Sequence, residues 1–111
     1  MSSYETQLDP VPLLNALINK TQAGKLKWDE TADENIFLVS VGGNTTLKVR
    51  QARDVYRGTY HLLALLDEDG KLIWEVETPS SQIEELFVLA RRIARKVDER
   101  VEALMETLQK L

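Results

Sequence analysis

The sequence predicts a single α+β domain in which an N-terminal helix is followed by a four-stranded antiparallel sheet and a long C-terminal helix. Near Asn35 the spacing of apolar residues changes from a helical period to a strand period, and it returns to a helical period after Pro79. Gly, Asn and Asp separate the alternating segments, as in an antiparallel meander. With 111 residues, 43% of them hydrophobic, the chain fits one core, so we assign residues 1–111 to one domain.

The first helix is predicted over residues 10–23, after an N-terminal tail at residues 1–9. Asp9 can accept amide hydrogens of the first turn, and Pro10 suits the first helical position because it lacks an amide hydrogen. An apolar stripe follows, and Gly24 can end the helix. The stripe consists of Leu13, Leu14, Leu17, Ile18 and Thr21. Residues 29–34 contain four acids, which favour a solvated loop.

Four strands are predicted, at residues 35–41, 45–51, 58–66 and 71–77. Their alternation assigns one face to the core: Phe37, Val39, Val41, Leu47, Val49, Tyr60, Leu62, Ala64, Leu66, Leu72, Trp74 and Val76. The opposite face carries charges together with Ile36, Leu38, Leu63, Leu65 and Ile73. Because this second face is too apolar to be fully solvated, we expect the first helix with Trp28, a second copy of the chain, or a partner segment to cover part of it.

The C-terminal helix is predicted over residues 80–111, because a capping box at Ser81–Glu84 is followed by no Gly or Pro up to Leu111. Its apolar residues alternate in spacing between four and three, which is typical of a coiled-coil seam. We expect the dimer seam to comprise Ala94, Val97, Val101, Leu104, Leu108 and Leu111. A helix of about 45 Å would extend beyond a sheet about 15 to 20 Å wide, so we predict a homodimer. The alternative is a break near Asp98–Arg100 that folds the helix back on its own subunit.

Few residues in the chain suit catalysis or cofactor binding. The sequence has no Cys, and its single His, His61, lies in an apolar strand where a structural role is expected. Gly42 and Gly43 precede a strand, unlike a phosphate-binding loop, and Asp67–Gly70 is interpreted as a hairpin turn. We therefore expect a non-enzymatic protein with no metal and no cofactor. A carboxylate-based enzyme stays open as a third hypothesis, which would require a closed pocket.

Two basic clusters suggest an alternative function as a nucleic-acid-binding accessory protein. The candidate contacts are Arg50, Arg53 and Arg57 in the first cluster and Arg91, Arg92 and Arg95 in the second. The net charge of −4 disfavours this function, and Asp98 and Glu99 can neutralise part of the second cluster. The leading hypothesis is therefore a homodimeric protein–protein interaction module that binds a protein or peptide partner. We expect it in the cytoplasm and away from membranes, because no signal sequence and no long apolar run is visible.

Three segments, distributed over most of the chain between Leu13 and Leu108, resemble a group of small uncharacterised bacterial proteins. They are Leu13–Trp28 (LLNALINKTQAGKLKW), Tyr60–Ile73 (YHLLALLDEDGKLI) and Leu86–Leu108 (LFVLARRIARKVDERVEALMETL). The resemblance implies the same order of helix, β-meander and long helix. It implies no established activity, so no functional residue is carried over to this chain. The segment Asn44–Gly58 has no counterpart in that group.

Overall fold

A computed structural model describes residues 8–111 of the protein, so the predicted tail falls outside the described residues except for Leu8 and Asp9. The described chain is α+β: one antiparallel sheet with strand order β1-β2-β3-β4-β5 carries two helices on one face, and a third helix follows. The elements are α1 (Val11–Gln22), β1 (Asp29–Glu30), β2 (Ile36–Val41), β3 (Thr45–Asp54), β4 (Gly58–Leu66), β5 (Leu72–Val76), α2 (Ser80–Ala94) and α3 (Val97–Gln109). The predicted α+β meander is confirmed.

Helix α1 begins and ends where its local sequence indicates. Oδ1 of Asp9 accepts the amide hydrogen of Val11 at 3.0 Å, which satisfies one free donor of the first turn. Gly24 follows the last turn with a φ of +75°, a conformation that costs glycine little because it has no Cβ. Most of the predicted stripe is buried, namely Leu14, Leu17, Ile18 and Thr21.

The sheet contains five strands where the sequence predicts four. The additional strand, β1, pairs Asp29 with Leu38 and Glu30 with Phe37 at the edge of the sheet. The sequence predicts a loop here because the segment is acidic. Backbone pairing at an edge needs no apolar side chain, however, and both acids remain exposed to solvent.

The predicted face assignment is wrong for β4, and also for Leu72 of β5, which pairs with Leu66 and is 57% exposed. Leu63 pairs with Val49, and Leu65 pairs with Leu47, so both leucines lie on the inner face beneath the helices. Every residue of β4 from Leu62 to Leu66 is apolar, so alternation within the strand does not show which of these residues face the core. Their orientation follows instead from the pairing with β3. The residues that alternate with the two leucines lie on the outer face: Tyr60, Leu62, Ala64 and Leu66.

The core lies between the inner face of the sheet and helices α1 and α2. The rings of Phe37 and Phe87 lie 5.5 Å apart, and Nε1 of Trp28 donates a buried hydrogen bond of 3.0 Å to Oγ1 of Thr21. Trp28 is only 2% exposed. Helix α1 and Trp28 therefore cover the inner face, whereas they were named from the sequence as one of the candidates to cover the second face.

The predicted single C-terminal helix is divided into α2 and α3. Lys96 adopts a left-handed conformation with a φ of 54°, which ends the regular helical path between Ala94 and Val97. The predicted capping box is also wrong, because α2 begins at Ser80 and Ser81 lies inside its first turn. The carbonyl of Pro79 accepts the amide hydrogen of Ile83 at 3.2 Å. Neither change has a Gly or Pro signal inside the helical segment.

Candidate interaction surfaces

Helix α3 carries an apolar stripe that its own domain leaves exposed. Among the described elements, α3 packs only against α2, and none of its residues is buried. The exposed fraction of these side chains ranges from 37% to 93%: Val97, Val101, Leu104, Met105, Leu108 and Leu111. All the predicted seam residues from Val97 onward therefore lie on an accessible surface.

The junction between α2 and α3 is held by polar contacts. The guanidinium of Arg92 on α2 donates to Oδ1 of Asp98 on α3, with Nη2 at 2.6 Å. Nε of Arg100 donates to the carbonyl of Arg95 at 2.8 Å. Ala94, the first residue of the predicted seam, packs against the core as part of α2. The stripe on α3 thus begins at Val97.

The outer face of the sheet is covered largely by its own side chains. Nε of Arg50 on β3 lies 3.3 Å from Oε2 of Glu75 on β5, so this ion pair bridges the intervening strand β4. Beneath such side chains, Leu62 and Ala64 are 8% and 1% exposed. Ile36 and Leu38, two predicted partner residues, are partly buried on the same face. Apart from Leu72 on β5, the outer face therefore offers little accessible apolar area.

Two other predicted partner residues, Leu65 and Ile73, meet in an apolar groove at the β5 edge of the sheet. Ile73 is the extra residue of a bulge, because the pairing steps from Leu65 with Trp74 to Leu66 with Leu72. The groove has a volume of about 500 Å³ and is lined by Leu8, Asp9, Pro10, Leu13, Leu65, Ile73 and Trp74. The sequence did not predict that the start of α1 would form part of this groove. Leu8 and Leu13, apolar residues on either side of the helix start, were the available indication.

The first basic cluster is largely engaged in contacts within the chain. Arg50 is paired with Glu75, as described above, and Nη2 of Arg57 pairs with Oε2 of Glu77. The Arg57 guanidinium also stacks 3.8 Å from the centre of the Tyr60 ring. The remaining predicted contact, Arg53, is exposed near the tip of the β3–β4 hairpin.

The arginines of the second basic cluster contact different groups within the chain. Arg92 pairs with Asp98. Arg95 donates to the carbonyl of Glu34 at 2.9 Å and lies 3.9 Å from the Glu30 carboxylate. The Arg91 guanidinium lies 5.4 Å from the Phe87 ring. Four of the six predicted arginines are therefore ion-paired, which weakens the nucleic-acid alternative.

A smaller cavity of about 360 Å³ lies where the C-terminal end of α1 meets the junction of α2 and α3. Its rim carries Lys27, Arg92 and Lys96 together with Asp98 and Glu99. Because both signs of charge are present, the rim does not select a ligand of one sign. This cavity does not indicate a cofactor class.

His61 lies in the inner layer, where its ring is 5.0 Å from that of Phe87. Burial lowers the pKa of His61, the Glu84 carboxylate raises it, and the Arg91 guanidinium lowers it further. Its Nε2 lies 3.3 Å from Nε2 of Gln51. These contacts favour a neutral imidazole packed in the core over an accessible general base.

No protein-family model matches the chain, and no curated protein and no solved structure is similar to it. The resemblance to small bacterial proteins therefore depends only on the three segments quoted above. Over residues 8–111, no helix combines the length and the apolar composition needed to cross a membrane. In the same range, no group of three or more His, Asp or Glu side chains is arranged to hold a metal ion.

Proposed function

We propose that the protein is a non-enzymatic, cytoplasmic interaction module that works as a homodimer joined through α3. The observation that carries this proposal is the apolar stripe of α3, because α2 is the one described element against which α3 packs. Fully burying a Leu or Val side chain contributes roughly 1.5 to 3 kcal/mol. A second copy would bury several such side chains at once.

The stripe has the residue spacing of a coiled coil. Its spacing places Val101 and Leu108 at the first apolar position of the heptad, with Val97, Leu104 and Leu111 at the second. A β-branched residue at the first position with Leu at the second, as in Val101 and Leu104, favours two strands in parallel coiled coils. Leu108 and Leu111 place leucine at both positions, so the preference for a dimer depends on the Val101–Leu104 pair.

The charges of α3 also permit association with an identical helix. Glu99, Glu102 and Glu106 fall on the side of the helix opposite the stripe. Asp98 lies beside the stripe, and Arg92 of the same chain neutralises it. Two copies of α3 can therefore approach without bringing these three glutamates together across the seam.

The proposal is tested by Leu104→Lys combined with Leu108→Lys. We expect light scattering coupled to size exclusion to give twice 12.7 kDa for the wild type and 12.7 kDa for the double variant. Glu99→Gln with Glu106→Gln is the matched control, because it changes the net charge by the same amount on the opposite side of α3. The control should remain dimeric.

Circular dichroism should find the domain folded in both double variants, because α3 contributes no buried residue. The proposal is wrong if the wild type stays monomeric at every concentration. It is also wrong if the lysine variant remains a dimer.

A further inference from the structure

The two edges of the sheet differ in what they offer to another chain. Strand β1 has only two residues, both of them acids, and it pairs with only Phe37 and Leu38 of β2, so the edge on this side is short, charged and stepped. The β5 edge extends over Leu72–Val76, and no described strand pairs with its outer side. A free edge presents unpaired amide and carbonyl groups, which can accept an additional strand.

The apolar groove lies beside this free edge. Leu72 and Ile73 are 57% and 60% exposed, which is high for aliphatic residues of a strand. The groove of about 500 Å³ opens along Ile73 and Trp74, and its far wall is the entrance of α1. An extended segment paired with β5 would place alternate side chains in or beside the groove, because side chains alternate between the faces of a strand.

The charges around the groove select the chemistry of such a segment. Asp9 lines the groove, and the turn before β5 contributes Asp67, Glu68 and Asp69, whereas Lys71 is the one cation in that turn segment. Oδ1 of Asp9 accepts the amide hydrogen of Val11, and Oδ1 of Asp67 accepts those of Asp69 and Lys71. Basic residues flanking an apolar segment would be attracted to this end of the molecule, and acidic ones would be repelled.

We propose that the β5 edge and its groove bind an extended peptide segment of a partner protein, with alternating apolar residues flanked by Lys or Arg. The segment adds to the sheet as a sixth strand next to β5. This inference rests on the proposed function, because it names the partner site of the interaction module. Main-chain pairing supplies affinity, and the groove and the acids supply specificity.

The peptide site is separate from the dimer stripe. Nε2 of Gln82 donates to Oδ1 of Asn15 at 2.8 Å, which places the N-terminal halves of α1 and α2 side by side. The groove is at this end of the helical layer, whereas α3 follows the opposite end of α2. One chain supplies the whole groove, so a monomeric variant should still bind peptide.

The probe is a fluorescent synthetic peptide in which valine and threonine alternate between two lysines at each end. We expect saturable binding to the full-length protein by fluorescence anisotropy. Ile73→Lys should weaken binding at least about tenfold, because it places a charge in an apolar contact and repels the lysines. The matched control is Val55→Lys, since Val55 is 95% exposed at the tip of the β3–β4 hairpin. A probe with glutamates in place of the lysines should bind wild-type protein at least about tenfold more weakly.

Hydrogen exchange locates the bound peptide. Saturating probe should slow amide exchange in residues 72–76, because the outward amides of β5 become paired. The proposal is overturned if the lysine-flanked probe shows no saturable binding, or if Ile73→Lys and Val55→Lys reduce the affinity equally. It is also overturned if the two probes bind with equal affinity. Exchange in residues 72–76 that slows with rising protein concentration, without peptide, would also overturn it by showing that a second copy occupies the edge.

The Leu104→Lys and Leu108→Lys variant separates this inference from the proposed function. It should bind the probe with the wild-type dissociation constant while losing the dimer. A wild type that binds the probe as a monomer contradicts the α3 dimer alone. A wild-type dimer that fails to bind the probe contradicts the peptide site alone.

Discussion

His61 on β4 is a titratable side chain that is buried among apolar residues. It is 7% exposed, and it packs between the Phe87 ring and the side chain of Gln51. The chief cause of its lowered pKa is burial, which penalises the charged imidazolium. The nearby charges of Glu84 and Arg91 act in opposite directions. The folded protein therefore holds this imidazole neutral at pH values where the unfolded chain begins to protonate it.

The free energy of unfolding should consequently depend on pH through His61. The pKa of His61 in the folded state lies below its ordinary value of 6.5, so the unfolded chain binds more protons as the pH falls through that value. We expect the contribution to be fully present above about pH 6.5 and to be lost progressively as the pH falls from there through the folded-state pKa. Urea unfolding between pH 8 and pH 5.5 measures it.

His61→Leu serves as the reference in this experiment. It removes the titrating group but keeps an apolar side chain in the layer, so the difference in pH dependence between the two proteins isolates the imidazole. Parallel curves for wild type and variant would contradict the expected burial of His61.

Among the elements, the break between α2 and α3 has a free-energy cost that can be measured at Lys96. A left-handed conformation costs a residue with a Cβ roughly 1 to 2 kcal/mol, whereas glycine adopts it readily. Lys96 occupies this conformation with a φ of 54°. The amide hydrogen of Lys96 is donated to the carbonyl of Ile93 at 3.0 Å, and its carbonyl accepts from Arg100 at 3.0 Å.

Lys96→Gly should therefore stabilise the protein by about 0.5 to 1 kcal/mol in urea unfolding. A continuous helix predicts the opposite sign, because glycine inside a helix costs about 1 kcal/mol relative to alanine. Lys96→Ala is the companion variant, since alanine favours the continuous helix and gains nothing in the left-handed conformation. Destabilisation by glycine together with stabilisation by alanine would contradict the break.

The strands illustrate how far alternation determines a fold. In β2 and β3, apolar and polar residues alternate, and the predicted inward positions Phe37, Val39, Leu47 and Val49 are buried. In β4 every residue of the run is apolar, so the side chains that face the core are decided by the pairing with β3. The sequence of one strand does not contain that pairing. The edge strand β1 and the break at Lys96 were missed for a related reason. Both depend on backbone pairing and packing between distant segments.

At the scale of the whole molecule, the two proposed surfaces differ in how well the sequence predicts them. The α3 stripe is a local pattern of fifteen residues, so its spacing is enough to identify Val97, Val101, Leu104, Leu108 and Leu111. The groove joins the entrance of α1 to β5, segments about sixty residues apart in the chain. Its members could be brought together only by the packing of α1 over the inner face.

This architecture also separates the stability of the domain from that of the assembly. All the described buried residues precede Val97, because the core lies between the sheet and helices α1 and α2. A chain ending at Lys96 should therefore fold cooperatively as a monomer, within about 1 kcal/mol of the monomeric lysine variant in its free energy of unfolding. Its urea midpoint should not change with protein concentration.

The full-length protein should behave differently, because association through α3 stabilises the folded state by mass action. Its urea midpoint should rise with protein concentration, and this dependence should disappear in the chain ending at Lys96. Loss of a cooperative transition on truncation would mean that α3 folds back to complete the core. A concentration-dependent midpoint in the truncated chain would instead place the dimer contact within residues 1–96.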